Sequence, residues 1–574
     1  MESIFLTKRD ENQTIAAAGA QLSHKLGFAK LGVVGALVVS IVFLFAGGLM
    51  LGTVVGFVVA LALVVFLWVV HYRVDQKNHY HAGIVAICNR HLQRIGGEWA
   101  DFKDHGQEYM DPGHLYALDL DIVGPKSLFQ YLNTTHTIHG RSRLATALLS
   151  TDATQWEHKI AGDLDFLIQM EYLFEQIGVN PQDAPLVQEL ADDSPFIQGA
   201  GAKYLLLGMP IITASLFGLG LFFGLSYGYG LVALVVQILI AKGISRKFQA
   251  DPDTYLGQLR KLPYKFARYK DVITAIQDKQ PIPALQSALE AMKDFEKINN
   301  RLSLVGNPFL YFILATVFLW EYYCAFLLEN WKKKYAPQVA DWFDTLGQIE
   351  AYNALAIMPH VCKGCTIPTI GTTMEVKATS LGHPLIQNDK RITNDVTLGK
   401  EIFIISGSNM SGKTTFMRTV GINMVLAKAG GFVVADSFRM YDFHIATSMR
   451  TQDDLNQGIS TFYAELKRVK MVLDMAASNP HTLFLIDEIF KGTNSVDRLA
   501  GADAVIHKLE ALGVVGMVST HDLELCQLAD TITRVANYSF REHYKDGDIY
   551  FGYKLEKGRA KTTNGRFLME MIGL

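Results

Sequence analysis

Eight consecutive residues, Gly407 to Thr414, have the composition of a loop that binds phosphate groups. They read GSNMSGKT, which fits the pattern G-x-x-x-x-G-K-[ST] in full. Glycines let backbone N–H groups approach phosphate oxygens, a lysine neutralises their charge, and a threonine hydroxyl is a ligand for Mg²⁺. An apolar strand is expected before the loop at 401–405 and a helix after it at 415–429, the context that such a loop requires. The sequence therefore predicts a site for ATP with Mg²⁺, with contacts from Gly407, Ser408, Asn409, Met410, Ser411, Gly412, Lys413, Thr414 and Thr415.

Two carboxylates and one histidine follow apolar runs further along the chain. Asp487 and Glu488 end the run LFLIDE, and His521 ends the run VVGMVSTH. Such runs predict buried strands. With Thr414, Asp487 is expected to hold Mg²⁺, and Glu488 is expected to orient the attacking water as a general base. His521 is expected to contact the γ-phosphate, although a lone histidine is more often structural.

The order strand, loop, helix, strand, strand predicts a parallel α/β sheet with the site along its carboxyl edge. The predicted fold is therefore an α/β nucleotide-binding domain at the C-terminus, at 359–574. The part before it is expected to be all-α, with helical hairpins that cross a membrane. An amphipathic helix is expected around 285–302, and a further helix from Asp341 to Ala356 that ends before Pro359.

Two long runs without charged residues predict membrane-spanning hairpins. The first covers 31–70 and the second covers 204–241, and each is long enough for two helices of about 20 residues. Buried core helices are the alternative explanation. The excess of basic residues beside both runs puts all four ends in the cytoplasm, together with both termini and the C-terminal domain. These flanking residues are Lys25, Lys30, Arg73, Lys77, Lys203, Lys242, Arg246 and Lys247.

A third apolar segment, 304–328, is a weaker candidate because it contains Asn307, Pro308 and Glu321. A charge at bilayer depth costs about 2.5 kcal/mol or more. The segment is expected to pack against protein or to lie at the membrane surface.

Composition excludes a protein that coats nucleic acid through its overall charge, because the net charge is −3. Few cysteines indicate a reducing compartment. Cys362 and Cys365 form a lone C-x-x-C motif, for which a structural or incidental role is favoured over a metal or redox site. Basic residues at Arg141, Arg143 and 467–470 are expected either to meet phosphates or to lie on solvated helix faces.

Four motifs in this order resemble those of the MutS family, the ABC-type ATPases of DNA mismatch repair. The phosphate loop resembles GPNMGGKST, and DDLNQGISTFYAE at 453–465 resembles DDL-x-x-G-x-STF-x-x-E. DEIFKGTNSVD at 487–497 and STHDLEL at 519–525 are similar to two further motifs of that family. The resemblance extends to 127–149, to His383-Pro384 and Asn394-Asp395, and to 537–558.

The resemblance implies an ATPase that acts as a homodimer through its nucleotide domains. Ser460 would then complete the partner's γ-phosphate pocket in trans, whereas the residues alone equally permit a helix N-cap at Ser460. DNA binding is also implied by the family. However, the expected map leaves no room for the mismatch-reading domain or for a C-terminal helix-turn-helix element, and the arginine usual before this serine is Ile459.

Two functions are therefore predicted as alternatives. The first is a membrane-anchored MutS-like ATPase that is associated with DNA, and the second is a mechanochemical membrane ATPase that acts on an unknown membrane or protein partner. A bacterial-type inner membrane is the expected location. The expected segments are a cytoplasmic segment at 1–30, hairpins at 31–70 and 204–241, a MutS-core-like helical region at 71–203, a lever-like helical region at 242–358 and the ATPase domain at 359–574.

Overall fold

The computed structural model describes residues 1–47, 51–157, 163–178, 183–197, 199–248, 252–257, 262–303, 308–408, 410–450, 461–545 and 548–560. The part before residue 362 is helical, and the part after it combines helices with a mixed sheet. Its helices are α1 (Glu2–Gly47), α2 (Leu51–Gly96), α3 (Leu128–Leu132), α4 (Ile138–Leu149), α5 (Leu164–Ile177), α6 (Asp183–Ala191), α7 (Ala200–Phe223), α8 (Tyr227–Phe248), α9 (Pro252–Gly257), α10 (Leu262–Lys279), α11 (Pro283–Ser303), α12 (Pro308–Phe318), α13 (Trp320–Ala356) and α14 (Met358–Val361).

Helices α1 and α2 pack against each other as a long antiparallel pair. Each has 46 residues, so each is about 69 Å long at 1.5 Å per residue. This length exceeds the predicted run at 31–70, because polar residues continue the pairing beyond it. Ser23 donates a hydrogen bond to Asp75 at 2.6 Å, and His81 bonds Asn12 at 2.7 Å.

The base of α2 is fixed to the helical core by buried charges. Arg90 pairs with Glu171 and Glu175 of α5, and His91 lies 2.9 Å from Glu171. Arg94 donates to the backbone carbonyl of Tyr131. A carboxylate in such a cluster needs these cationic partners, since an unpaired buried charge is costly. The first hairpin is therefore continuous with the helical core.

Four helices among the described residues are long and apolar enough to cross a membrane, namely 2–45, 52–96, 201–223 and 227–247. Many large apolar side chains on them are exposed, such as Phe45 at 90% and Phe223 at 82%. A water-soluble surface rarely presents apolar area of this extent. Buried core helices, the alternative explanation of these runs, do not account for this exposure.

Helix α12 packs on α7 and α8, and the chain bends before α13 at Leu319, whose φ is +48°. Gln237 of α8 accepts a hydrogen bond from Thr213 and donates to the carbonyls of Thr316 and Val317 at the end of α12. These carbonyls would otherwise lack partners at the helix end. The weak segment thus contacts α7 and α8 through α12, whereas its position relative to a membrane stays a prediction, and 304–307 lie outside the described residues.

Helices α11 and α13 lie at the centre of a hydrophobic core within the helical part of the chain. The expected stripe on α11 is buried at Leu285, Met292, Phe295 and Ile298, and Leu289 and Leu302 are partly buried. The expected helix at 341–356 is the last part of α13, and Pro359 lies at the start of α14. The amphipathic pattern therefore predicted this packing correctly.

The C-terminal part contains β1 (Cys365–Thr366), β2 (Thr369–Gly371), β3 (Val376–Leu381), β4 (Asn394–Leu398), β5 (Ile402–Ser406), α15 (Lys413–Lys428), β6 (Val433–Val434), β7 (Ser437–Tyr441), β8 (His444–Ser448), α16 (Thr461–Ser478), β9 (Thr482–Asp487), α17 (Ser495–Ala511), β10 (Val515–Thr520), α18 (Leu528–Thr531), β11 (Val535–Lys545) and β12 (Asp548–Lys557).

A six-stranded sheet in the order β12-β11-β5-β10-β9-β8 carries the site. Its strands are parallel except β12, which forms an antiparallel hairpin with β11. Alternate residues of β5 face opposite layers, as the period of two requires. Phe403 and Ile405 join a core with α15, whereas Ile402 and Ile404 join a core with α16 and α17. The predicted parallel arrangement is confirmed for five strands, with one antiparallel edge strand added.

Candidate functional site

The loop 407–412 connects β5 to α15 at the carboxyl edge of the sheet, and two of its glycines are required by their surroundings. Gly407 has φ +153°, and a Cβ there would lie 2.9 Å from the carbonyl oxygen of Phe540. Gly412 has φ +105°, and a Cβ there would lie 3.0 Å from the ring of Tyr553. Side chains at these positions would be both strained and obstructed. Met410 is 84% exposed, and Asn409 lies outside the described residues.

Lys413 lies under this loop with its amine turned toward the backbone. Its Nζ donates to the carbonyl oxygens of Gly407 at 2.7 Å and of Ser408 at 2.9 Å. Burial lowers the pKa of Lys413, and the nearby carboxylates of Glu488 and Asp487 partly offset that effect. The amine is thus held where an anion bound by the loop would lie.

Thr414, Asp487 and Ser519 form a connected group of oxygen atoms. Thr414 donates to Asp487 at 3.0 Å, and Ser519 donates to the other oxygen of the same carboxylate. Asp487 ends β9, and Ser519 is its register partner on β10. Two hydroxyls around one carboxylate are the hard oxygen ligands that Mg²⁺ takes, so the residues fit this ion. The sequence prediction did not include Ser519, although it stands two residues before His521.

Glu488 follows directly and has a left-handed backbone, with φ +53°. Its carboxylate lies 3.2 Å from Nδ1 of His521 and 3.5 Å from Nζ of Lys491. Burial raises the pKa of Glu488, but Lys491, the hydrogen bond from His521 and the charge of Lys413 together outweigh burial, so this pKa lies below the ordinary value. Glu488 is therefore ionised at neutral pH, as a base must be. Lys491 was also missed in the sequence, where it is one of many lysines.

A cavity of about 290 Å³ lies beside the loop, next to Gly412 and Thr415. Its walls combine aromatic and polar side chains, including Phe416, Tyr553 and His383. Burial lowers the pKa of His383 to about 4, so the imidazole is neutral at pH 7. An apolar cleft with a few polar groups suits a flat heteroaromatic ring.

A pair of aspartates from the helical part clasps the edge of the nucleotide-site domain. Asp119 is 1% exposed and accepts hydrogen bonds from the backbone N–H of Met449 and Arg450 and from Thr447. It also pairs with Arg468 of α16. Asp121 binds Arg418 of α15 and Arg450. The 119–121 segment thus holds the helix that follows the loop and the strand end that precedes residues 451–460.

The structure brings together most of the predicted site residues at one sheet edge. Lys413, Thr414, Asp487, Glu488 and His521 are all within this group, whereas Ser460 lies outside the described residues. Four of the expected basic residues pair with carboxylates, and Lys470 does so on an exposed helix face. Arg141 binds Asp104 and Glu108, Arg143 binds Asp344, Arg468 binds Asp119 and Lys470 binds Asp474.

Comparison with known proteins matches residues 403–574 to MutS domain V. The chain is similar to the DNA mismatch repair protein MutS of Shouchella clausii, with 31% identity over 258 residues, which are 43% of this chain and 29% of that protein. It is 28% identical over 311 residues to the DNA mismatch repair protein MutS of Thermus thermophilus, covering 54% of this chain and 37% of that protein. The protein of the same name from Chloroflexus aurantiacus is 32% identical over 243 residues, covering 40% and 25%. The matched part of the chain thus spans 25–37% of the length of these curated relatives.

Proposed function

Because its C-terminal half makes this chain a member of the MutS family, we propose that it is a membrane-anchored ATPase that binds and hydrolyses ATP with Mg²⁺. The observation that carries the proposal is the meeting of Lys413, the Thr414–Asp487–Ser519 group and the Glu488–His521 pair at one sheet edge. The loop 407–415 is then a P-loop whose backbone N–H groups cradle the phosphates.

Each residue has a chemical task in this proposal. Lys413 leaves the loop carbonyls and neutralises the β- and γ-phosphates. Thr414 and Asp487 hold Mg²⁺, with Ser519 fixing the carboxylate, and the ion supplies charge neutralisation at the phosphates. Glu488 orients the attacking water and accepts its proton, while His521 fixes that carboxylate and contacts the γ-phosphate. The cavity beside Gly412 takes the adenine ring between Tyr553 and the His383 side of the pocket.

The active form in this proposal is a homodimer through the ATPase domains. Ser460 of one chain completes the γ-phosphate pocket of its partner, as the family resemblance implies. The ABC-type arrangement gives ATP a place in the interface, so nucleotide binding stabilises the pair by mass action. The Glu488→Gln variant, which binds ATP without hydrolysing it, is expected to accumulate as this dimer.

The four long apolar helices anchor the chain in a bacterial-type inner membrane, with both termini and the ATPase domain in the cytoplasm. Their exposed apolar side chains support this part of the proposal. The segments predicted from the sequence remain its domain map. Alkaline carbonate extraction of membranes tests the anchoring, since a peripheral protein is released by this treatment and an integral one stays with the lipid. Release into the supernatant would contradict it.

ATP hydrolysis by the purified full-length chain in detergent or nanodiscs tests the enzymatic part. Lys413→Ala should lose nucleotide binding, and Glu488→Gln should keep binding while hydrolysis falls about 10²-fold or more. The exposed residues Lys508 and Glu290 provide matched controls, because Lys508→Ala and Glu290→Gln make the same chemical changes away from the site. Equal hydrolysis by wild type and Glu488→Gln would overturn the assignment of the base.

Two partners are compatible with this ATPase, and we take a membrane partner as the first candidate. The arginines that could meet DNA phosphates are already paired with carboxylates. In contrast, buried ion pairs connect α2 to the helical core, and the 119–121 segment connects that core to the ATPase domain. ATP-driven movement of the domain would therefore reach the membrane helices and a partner bound there.

DNA association is the second candidate, because the relatives are DNA mismatch repair proteins. Phosphate contacts make binding strongly dependent on salt. Fluorescence anisotropy with a labelled duplex, at low and high salt and with or without ATP, separates the two candidates. Binding that weakens steeply with salt would support DNA association, and no binding at low salt would remove it.

A further inference from the structure

The two cysteines of the C-x-x-C motif meet at the junction between the helical part and the ATPase domain. Cys362 follows α14, and Cys365 begins β1, which pairs with β6. Gly364 between them has φ +70°, the left-handed conformation that turns the chain back on itself. As a result, the Cys365 thiol donates to the carbonyl oxygen of Cys362 at 3.2 Å.

The sulfur of Cys362 accepts a hydrogen bond from a guanidinium group. Nη1 of Arg391 donates to it at 3.1 Å. The hydrogen bond from Cys365, together with Arg391 and Tyr131, outweighs burial and lowers the pKa of Cys362 to about 6. The same hydrogen bond and burial raise the pKa of Cys365 well above its usual range. The pair therefore holds a thiolate and a thiol side by side at neutral pH.

The other cysteines lie in different surroundings. Cys88, Cys324 and Cys526 are buried, and burial raises the pKa of Cys526. Cys365, by contrast, is partly exposed, so a small reagent can approach the pair. Reactivity of cysteine follows thiolate character and access. Cys362 is itself buried, so in this pair the thiolate character belongs to Cys362 and the access is provided by the neighbouring Cys365.

We propose that Cys362 and Cys365 are a redox site. Hydroperoxides oxidise the two thiols to an intramolecular disulfide, and this oxidation is reversible. The Cys362 thiolate attacks a peroxide oxygen and becomes a sulfenic acid, with the departing hydroxide taking up a proton as water. The Cys365 thiol then attacks the sulfenic sulfur, the S–S bond forms, and a second water leaves. Hydrogen peroxide is reduced by two electrons and the two thiols are oxidised by two. A dithiol reductant reverses the reaction by exchange.

Oxidation also reaches the nucleotide cavity, an extension that rests on the proposed function. Arg391 donates to Cys362 and to Asn388, within the segment that provides Ile386, Lys390 and Ile392 to the cavity wall. Once the thiolate is consumed, the guanidinium loses its anionic partner there. The segment that lines the nucleotide cavity then loses part of the contact made by Arg391, and the affinity of the protein for nucleotide falls.

The disulfide is tested first, independently of nucleotide. The full-length chain in detergent is treated with graded hydrogen peroxide at pH 7, free thiols are blocked with a maleimide, and tryptic peptides are analysed by mass spectrometry with and without dithiothreitol. A 362–365 disulfide that dithiothreitol removes is expected. In Arg391→Met the rate of its formation should fall on the order of tenfold, because the thiolate fraction at pH 7 falls.

Matched variants separate this site from general oxidation. In Cys365→Ser, oxidation should stop at a Cys362 sulfenic acid, which a dimedone probe traps. The Cys526→Ser variant should form the 362–365 disulfide as the wild type does. A wild-type chain that yields no 362–365 disulfide, or that oxidises equally fast in Arg391→Met, would overturn the proposal. In a Cys362→Ser variant whose circular dichroism matches that of the wild type, peroxide treatment should leave the affinity of the protein for a fluorescent ATP analogue unchanged.

The two readouts distinguish failure of this proposal from failure of the proposed function. If the disulfide forms but no ATP analogue binds in either redox state, the redox site stands and the ATPase assignment fails. If ATP binds with the same affinity in both states while the disulfide is present, the coupling through Arg391 is wrong. If ATP binds and the disulfide is absent, the redox site itself is wrong.

Discussion

Replacing Thr414 by valine keeps the volume of the side chain and removes its hydroxyl. That hydroxyl donates to Asp487 at 3.0 Å, and the Asp487 side chain is 8% exposed. Loss of a hydrogen bond to a charged group costs about 1.5–3 kcal/mol, which corresponds to roughly 10- to 150-fold in an equilibrium constant. In Thr414→Val we therefore expect the Mg²⁺ concentration for half-maximal ATP hydrolysis to rise at least about tenfold.

The assay is a Mg²⁺ titration of ATP hydrolysis, combined with binding of a fluorescent ATP analogue in excess EDTA. In the proposed function the hydroxyl is a ligand of the metal ion, so binding without Mg²⁺ should stay as in the wild type. Thr414→Ser is the matched control, since it keeps the hydroxyl and should keep the Mg²⁺ requirement. Identical Mg²⁺ titrations for wild type and Thr414→Val would refute the role of this residue.

Three further predictions concern buried contacts. In Asp119→Asn, the pairing with Arg468 is lost and hydrolysis should fall much more than ATP-analogue binding, as measured on one preparation; equal losses would contradict a role of Asp119 in positioning the strand end at Met449 and Arg450. Gly516→Ala would place a Cβ 2.2 Å from a backbone oxygen of Phe484, so the melting temperature should drop by more than in Gly243→Ala, which meets open space. Burial raises the pKa of Glu350 to about 7, above its unfolded value, so its contribution to stability is present at low pH and is lost as pH rises toward and through 7. The difference in melting temperature between pH 5.5 and pH 8 should therefore be smaller in Glu350→Gln than in the wild type. In the wild type this group contributes up to about 3 kcal/mol to the free energy of unfolding. An equal difference in both proteins would contradict the raised pKa of Glu350.

Much of the ATPase domain could be predicted from local patterns. The apolar runs at 483–487 and 515–520 are buried on both faces, as central parallel strands are, and they therefore stand out in the sequence. The glycines and Lys413 stand at fixed spacing within one loop. These features depend on neighbouring residues alone, which explains why the parallel strands and the acidic pair at the sheet edge were predictable.

Other features depend on contacts between distant residues. Asp119 meets Arg468 across 349 positions, and no local pattern distinguishes it from other aspartates near a turn. Ser519 gains its role only when β10 pairs with β9 and places it beside Asp487. The length of α1 and α2 was underestimated for a similar reason, because their polar ends are helical through pairing with each other.

The clasp made by Asp119 and Asp121 has a practical consequence for biochemical work. A fragment that starts at residue 359 would leave the guanidinium groups of Arg418, Arg450 and Arg468 without their carboxylates and would uncover an apolar surface shared with α4 and α13. Such a fragment would tend to aggregate. Enzymology on this protein accordingly calls for the intact polypeptide, purified together with its long apolar helices.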